Sequence, residues 1–97
     1  MARVTVLYWQ EIPSLVEVRE GTSVQKHQLS ARFQELIDMV AMRKKLVGSD
    51  AYLEQWRKGQ PEERPGEPKE IVAIVAGEIE ARYEQIKSAA IADLKGD

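Results

Sequence analysis

The spacing of apolar residues changes once along this chain, and that change limits the class of fold. Between residues 3 and 28 apolar side chains alternate with polar ones or form short β-branched runs, as in strands. After Leu29 they recur every three or four positions, as in helices. Strands grouped before helices indicate an α+β domain. We therefore predict a single domain over residues 1–97, with a small two- or three-stranded antiparallel sheet packed on helices and a long C-terminal helix.

Three stretches are predicted to form the sheet. Residues 3–9, RVTVLYW, are largely apolar on both faces, which favours a central strand. Pro13 interrupts the pattern because it cannot donate a ladder hydrogen bond, and the pattern resumes over residues 15–19. Gly21 suits a tight turn because glycine adopts positive φ readily. Residues 22–28 then form a weaker third strand pattern, in which Val24 is the apolar residue.

Two helices are predicted after the strands, which completes a compact part over residues 1–57. Ser30 is a candidate N-cap for the first helix, and Gly48 is a candidate residue for its left-handed C-terminal turn. Ser49 is placed to cap the short helix within residues 48–56, GSDAYLEQW. The first helix carries one apolar stripe, formed by Phe33, Leu36, Ile37, Val40, Ala41 and Val47.

The last third of the chain is predicted to be a loop followed by one long amphipathic helix. Residues 58–68 are rich in proline, glycine and glutamate, which is typical of a surface loop or hinge. Residues 69–95 then carry a nearly heptad apolar seam that contains Val72, Val75, Ile79, Tyr83 and Ile86. Gly77 would let another backbone approach this helix closely. Two interpretations of the helix remain open: it docks against a partner or a second copy, or it folds back onto its own sheet.

The rings of the chain are divided between core and surface in the prediction. Tyr52 and Trp56 are four residues apart on one helical face, with Trp9 and Phe33 as natural core partners. Tryptophan and tyrosine are also preferred interface anchors, and Trp9 is the ring expected to remain available to a partner. The predicted partner-binding residues are therefore Trp9, Tyr52, Trp56, Val72, Val75, Ile79, Tyr83 and Ile86.

The sequence contains no pattern typical of a catalytic, metal or cofactor site. There is no cysteine and one histidine, His27, which is predicted to lie on the surface. No glycine-rich phosphate-binding loop is present, and the glutamate pairs of the loop and last helix are predicted to be solvated. We therefore predict no enzymatic activity and no bound cofactor.

A polar network is predicted around the first helix. Asp38 lies between apolar Ile37 and Met39, so a buried carboxylate there would need a partner, for which Arg32 or Ser49 could serve. A structural network of these residues is preferred over a polar spot inside an interface.

The sequence predicts a cytoplasmic protein. No apolar run is long enough to cross a bilayer, and the N-terminus lacks the pattern of a secretory signal. The net charge is −2, which gives little attraction to nucleic acid. The basic residues 43–45, together with residues 57–58, support a weak nucleic-acid-binding module only as an alternative function.

Three stretches resemble the small bacterial domain family labelled "virulence factor". They are VLYWQEIPSLVEV, LSARFQELIDMVAMRKKL and GSDAYLEQW, and they cover roughly residues 4–57. The resemblance implies no known activity and no catalytic residues. It implies an accessory role, since members of the family are found with one-carbon genes, including methylenetetrahydrofolate reductase-like and corrinoid methyl-transfer proteins.

The leading hypothesis is a non-catalytic protein-interaction subunit or adaptor of a bacterial cytoplasmic complex, which the resemblance links to one-carbon enzymes. Its partner would be another protein, or a second copy bound through the C-terminal helix, rather than a membrane. The alternative is an accessory protein that handles a small ligand or cofactor. Its pocket would be walled by Trp9, Arg32, Asp38 and Tyr52.

Overall fold

The computed structural model describes residues 1–95 and confirms the α+β class. Its elements, in chain order, are β1 (Ala2–Trp9), β2 (Ile12–Glu20), β3 (Ser23–Gln28), α1 (Ala31–Arg43), α2 (Asp50–Glu54), β4 (Trp56–Lys58), β5 (Glu62–Arg64), α3 (Pro68–Ala81) and α4 (Tyr83–Lys95). Within the described residues, no helix is both long enough and apolar enough to cross a bilayer.

The sheet has five antiparallel strands rather than the predicted two or three. Its order is β3-β2-β1-β4, and β5 also pairs with β1. β1 is therefore central, as predicted. β4 and β5 pair with the two ends of β1, at Leu7–Trp9 and at Ala2–Val4. The predicted loop over residues 58–68 thus contains the end of β4 and all of β5.

The β1–β2 connection is shorter than predicted. β2 begins at Ile12 and includes Pro13, so the turn consists of Gln10 and Glu11. Pairing between β2 and β3 begins only at Leu15, so the missing N–H of Pro13 removes no bond from that ladder. The turn after β2 contains Gly21 at a φ of 59°, and β3 follows it, as predicted.

α3 folds back onto the sheet of its own chain. It packs mainly against β2 and β3, where Val16 and Val18 are fully buried. Its buried side chains are Pro68, Ile71, Val72, Val75, Ala76 and Ile79. Of the two open interpretations, folding back is therefore correct for this segment, and the prediction that Val72 and Val75 contact a partner is wrong. Ile79 is buried as well, but it lines a cleft that is described below. The sheet leaves an apolar face that needs a cover, and the stripe of α3 supplies it.

The predicted helix over residues 69–95 is two helices, because the helical path breaks at Arg82. The backbone there has φ −101° and ψ 10°. The new direction of α4 brings the rings of Tyr83 and Phe33 edge to face, with their centroids 5.1 Å apart. At the other end of α4, Asp93 pairs at 2.9 Å with Lys44, which directly follows α1. α1 and α4 therefore lie side by side and run in the same direction.

The cap predictions hold for one helix and fail for the other. Ser49 accepts a hydrogen bond from the Tyr52 amide and caps α2, as predicted. Ser30 precedes α1, but its side chain does not cap the helix. α1 ends through Lys45 at a φ of 59°, and the Leu46 amide donates to the Ala41 carbonyl at 2.8 Å. Gly48 lies later, in the turn before α2, so it is not the C-terminal residue of α1.

Gly77 gives a prediction about stability. It lies on the exposed side of α3, and an added Cβ would meet nothing within 4 Å, so the expected close backbone approach is absent. Alanine loses less backbone freedom than glycine in a helix, so Gly77→Ala should raise the free energy of unfolding by about 1 kcal/mol. Urea denaturation followed by circular dichroism measures this. Ala73→Gly, on an exposed position of the same helix, should lower it by about as much, and no gain in Gly77→Ala would contradict the prediction.

Candidate functional site

A cleft of about 840 Å³ opens where α4 faces the β1–β2 turn. α1, the α2–β4 segment and the end of α3 complete its walls. Its floor is apolar and consists of Ile12, Val40, Ile79, Ile86 and Ala90. Of these, Ile12, Val40 and Ile79 belong to the buried core. We call this feature the α4 cleft.

Gln10 fixes the lip of the α4 cleft. It has a φ of 55°, which a non-glycine residue holds only when its surroundings enforce it. Its amide donates to the Gln55 carbonyl at 3.0 Å, and its own carbonyl accepts from Arg57 Nε at 3.1 Å. Its side-chain oxygen accepts from Lys44 Nζ at 3.3 Å. The turn is thereby tied to α1 and to β4, which makes this lip a defined surface.

The rim of the α4 cleft is polar and carries both signs of charge. Lys44 pairs with Asp93 at 2.9 Å, and Arg57 pairs with Glu11 at 3.1 Å. The Arg57 guanidinium also lies over the ring of Tyr8, 4.8 Å from its centroid. A polar rim around an apolar floor is the arrangement found in protein interfaces and ligand clefts.

The aromatic prediction is partly wrong, because Trp9 is a core residue. Its exposed fraction is 0%, and its Nε1 donates to the Tyr52 carbonyl at 3.0 Å. Its ring centroid lies 5.5 Å from that of Tyr52, which in turn meets Trp56 edge to face at 6.4 Å. Trp9 is thus not available to a partner. Tyr52 and Trp56 pack against the core at this end of the sheet, as the core interpretation of GSDAYLEQW predicted, but Trp56 lies on β4 and not on the helix with Tyr52.

The predicted polar network of Arg32, Asp38 and Ser49 does not form. Asp38 is exposed and accepts a hydrogen bond from Gln34, one turn earlier on α1, at 2.9 Å. Ser49 caps α2, and Arg32 lies 4.3 Å from the ring centroid of Tyr83. Asp38 faces solvent despite its apolar neighbours, so it needs no buried partner. The predicted pocket of Trp9, Arg32, Asp38 and Tyr52 is not assembled either, because Trp9 and Tyr52 pack on each other and Arg32 stacks on Tyr83.

The network that the structure does contain is centred on Glu80, which the sequence placed on a solvated helix face. Its carboxylate accepts from the Ser30 amide at 2.7 Å and from the Ser30 hydroxyl at 2.8 Å. It also accepts from Arg32, whose guanidinium donates in addition to the Glu80 carbonyl at 2.8 Å. We call Ser30, Arg32 and Glu80 the Glu80 clamp. It joins the start of α1 to the end of α3.

The Glu80 clamp lowers the pKa of its carboxyl group. Burial acts to raise the pKa of Glu80, but the hydrogen bonds from Ser30 and Arg32 outweigh it, so the pKa lies below its ordinary value. The neighbouring Glu78 is also paired, and its hydrogen bond with Arg64 lowers its pKa. These glutamates therefore hold elements together instead of forming an acid–base pair.

The basic residues of the nucleic-acid alternative are divided between two surfaces. Lys44 and Arg57 line the α4 cleft, whereas Lys58 pairs with Leu7 on the sheet. Nucleic-acid binding stays a prediction.

Two residues of the α4 cleft were predicted from the sequence as contact residues, and others were missed. Ile79 and Ile86 were predicted contact residues, and both line the cleft. Gln10, Gln85 and Ala89 line it as well, but they come from a turn and from the middle of a helix. The consecutive alanines at 89 and 90 are the signal that could have indicated a gap beside α4, because small side chains leave space at a helix surface.

The family comparison extends the resemblance across most of the chain. The model of the family described as "Virulence factor" matches residues 7–91, so the chain belongs to that family. The match includes α3 and most of α4, which the resemblance over residues 4–57 did not reach. No curated protein and no solved structure matches the chain.

Proposed function

We propose that this member of the virulence-factor family is a non-catalytic interaction subunit that binds a segment of a partner protein in the α4 cleft. The observation that carries the proposal is the apolar floor of the cleft beneath a polar, internally paired rim. Interfaces bury such an apolar centre while the polar rim stays in water. A cleft open to solvent and walled by several elements can receive a helix or an extended segment.

This proposal moves the predicted contact surface from α3 to α4. Val72 and Val75 are in the core, whereas Ile86 is half-buried and lines the cleft. The partner would therefore meet α4 over residues 85–93 instead of a continuous helical seam through α3. One-carbon enzymes are the partners that the family resemblance suggests, and they form part of this proposal.

Blocking the cleft should abolish partner capture. Ala89 is exposed and lines the cleft, so Ala89→Arg would place a long charged side chain over the apolar floor. We expect the affinity for the partner to fall by about tenfold or more, because an interface core does not tolerate a misplaced charge. The measurement is affinity capture from the native host with quantitative mass spectrometry, followed by titration of the purified partner.

Ala92→Arg is the matched control, since Ala92 is exposed on the same helix and does not line the cleft. Its capture should equal that of the wild type, and circular dichroism should show both variants folded. Equal capture by the two variants would refute the cleft as the binding surface. Light scattering on the wild type would separately show whether the captured partner is a second copy of the chain.

A small ligand is the second candidate, because the volume of the cleft lies within the range of small-molecule sites. Titration with folates and corrinoids, followed by nuclear magnetic resonance of the amides that line the cleft, tests it. Amide shifts at Gln85 and Ala89 that saturate would support a ligand, and unchanged spectra would remove it.

A further inference from the structure

The sheet has a second face, and no helix within residues 1–95 packs on its centre. α3 contacts the face that buries Val16 and Val18. Because side chains alternate along a strand, the residues between them point to the other face. Strand pairing places Leu7 beside both Leu15 and Lys58, and it places Glu17 beside Lys26. We call this surface the open sheet face and define it by Leu7, Leu15, Glu17, Arg19, Lys26 and Lys58.

Positive charge exceeds negative charge on the open sheet face. Its one carboxylate, Glu17, accepts a hydrogen bond from Arg19 at 2.9 Å. This bond lowers the pKa of Glu17, and the charges of Lys26 and Lys58 act in the same direction, so both lysines lie close to it. Arg3 extends the face but is neutralised by Glu63 at 3.2 Å. Within residues 1–95 neither Lys26 nor Lys58 has a hydrogen-bonded carboxylate, and both are exposed.

The centre of the open sheet face is apolar. Leu7 and Leu15 are directly paired across β1 and β2, and both are half-buried. Lys58 flanks this pair on β4, and Lys26 lies on β3 beyond Glu17. An apolar pair between two cations without hydrogen-bonded carboxylates complements an apolar side chain that has acidic neighbours.

We propose that the open sheet face binds an acidic segment of a protein, in which an apolar side chain covers Leu7 and Leu15 and carboxylates pair with Lys26 and Lys58. A second copy of the chain fits poorly, because two such faces brought together would oppose cations to cations. Single-stranded nucleic acid also fits poorly, because the net charge of the chain is −2 and the one ring beside Lys58 on β4, that of Trp56, is half-buried and packs edge to face on Tyr52. The proposal does not depend on the α4 cleft. Together the two surfaces would let one chain bridge two proteins.

Selection of random displayed peptides on the immobilised protein tests this proposal. We expect the selected peptides to be rich in aspartate and glutamate around an apolar residue. Binding of the best peptide should shift the amide resonances of Leu7, Leu15 and Glu17, and leave those of Gln85 and Ala89 in place. Its affinity should weaken steeply with added salt, because the cations are exposed.

The double variant Lys26→Glu with Lys58→Glu should lower the affinity for that peptide by about tenfold or more, because attraction becomes repulsion at two positions. Lys45→Glu with Lys69→Glu is the matched control, because these exposed lysines lie outside the face, and it should bind within about twofold of the wild type. Lys26→Gln with Lys58→Gln should give an intermediate loss. This milder pair keeps the test valid if the reversed pair fails to fold.

Four results would overturn the proposal: selected peptides without an acidic excess, amide shifts elsewhere on the protein, retention of poly(U) RNA that depends on Lys26 and Lys58, or self-association that depends on them. Ala89→Arg should leave the selected peptide bound at wild-type affinity. A failure of this inference is therefore distinguishable from a failure of the α4 cleft.

Discussion

Replacing Trp9 with alanine should lower the free energy of unfolding by about 4 kcal/mol. The ring is fully buried, its Nε1 donates to the Tyr52 carbonyl, and it packs on the Tyr52 ring. The substitution would remove these contacts and leave a cavity between β1 and α2. Domains of this kind are stabilised by about 5–15 kcal/mol in total. Trp9→Ala should therefore lose between about a quarter and four fifths of the stability of the fold.

Urea denaturation followed by circular dichroism tests this prediction, and two further variants provide smaller losses of stability for comparison. Trp9→Phe keeps most of the apolar volume but leaves the Tyr52 carbonyl without its donor, so its cost should be about 1–2 kcal/mol. Trp56→Ala removes a ring that is only partly buried, so it should cost less than Trp9→Ala. A Trp9→Ala protein of wild-type stability would instead support the prediction that this ring belongs to the surface.

The sequence was sufficient to predict the elements whose own residues show a clear hydrophobic period or a characteristic turn residue. β1 has apolar residues on both faces, and it pairs on both edges in the sheet. Gly21 occupies a turn that requires positive φ, and the apolar stripe of α1 faces the core. In these cases propensity, hydrophobic period and packing agree, and such agreement makes a segment readable from sequence.

The elements that were missed depend on distant parts of the chain. β4 and β5 have three residues each, mostly charged, and the free edge of β1 supplies their pairing. The break at Arg82 contains neither proline nor glycine. The Glu80 carbonyl accepts a backbone hydrogen bond at this helix end and a second hydrogen bond from Arg32 of α1, which lies 48 residues earlier in the sequence. Tertiary contacts of this kind have no local period.

The same reason explains why the candidate site was only partly predictable. The α4 cleft combines a turn and parts of four helices and three strands, so its lining has no common spacing in sequence. Trp9 was misassigned because alternation gives the face of a strand but does not show that α2 covers that face. The partner of Ser30 was invisible because Glu80 is fifty residues away and carries an ordinary surface pattern.

Glu80→Gln should lower the free energy of unfolding at neutral pH by about 2 kcal/mol, because the hydrogen bonds of the clamp are made to a charged group. The glutamine amide cannot accept the second set of hydrogen bonds from Ser30 and Arg32. Glu84→Gln is the matched control on exposed α4, and it should stay within about 0.5 kcal/mol of the wild type. Chemical denaturation at pH 7 measures both variants.

The pH dependence separates loss of the Glu80 charge from a general loss of packing. The pKa of Glu80 is lower in the folded protein than in the unfolded chain, so ionised Glu80 stabilises the fold. That contribution is complete above the ordinary glutamate pKa of about 4.3 and is lost as the pH falls through the lower folded-state value. The wild type should therefore lose more stability than Glu80→Gln between neutral and acidic pH, and the two should converge in acid. A constant difference at all pH values would mean that Glu80 acts through its shape. Because the clamp fixes the junction from which α4 leaves α3, loosening it should also weaken capture in the α4 cleft.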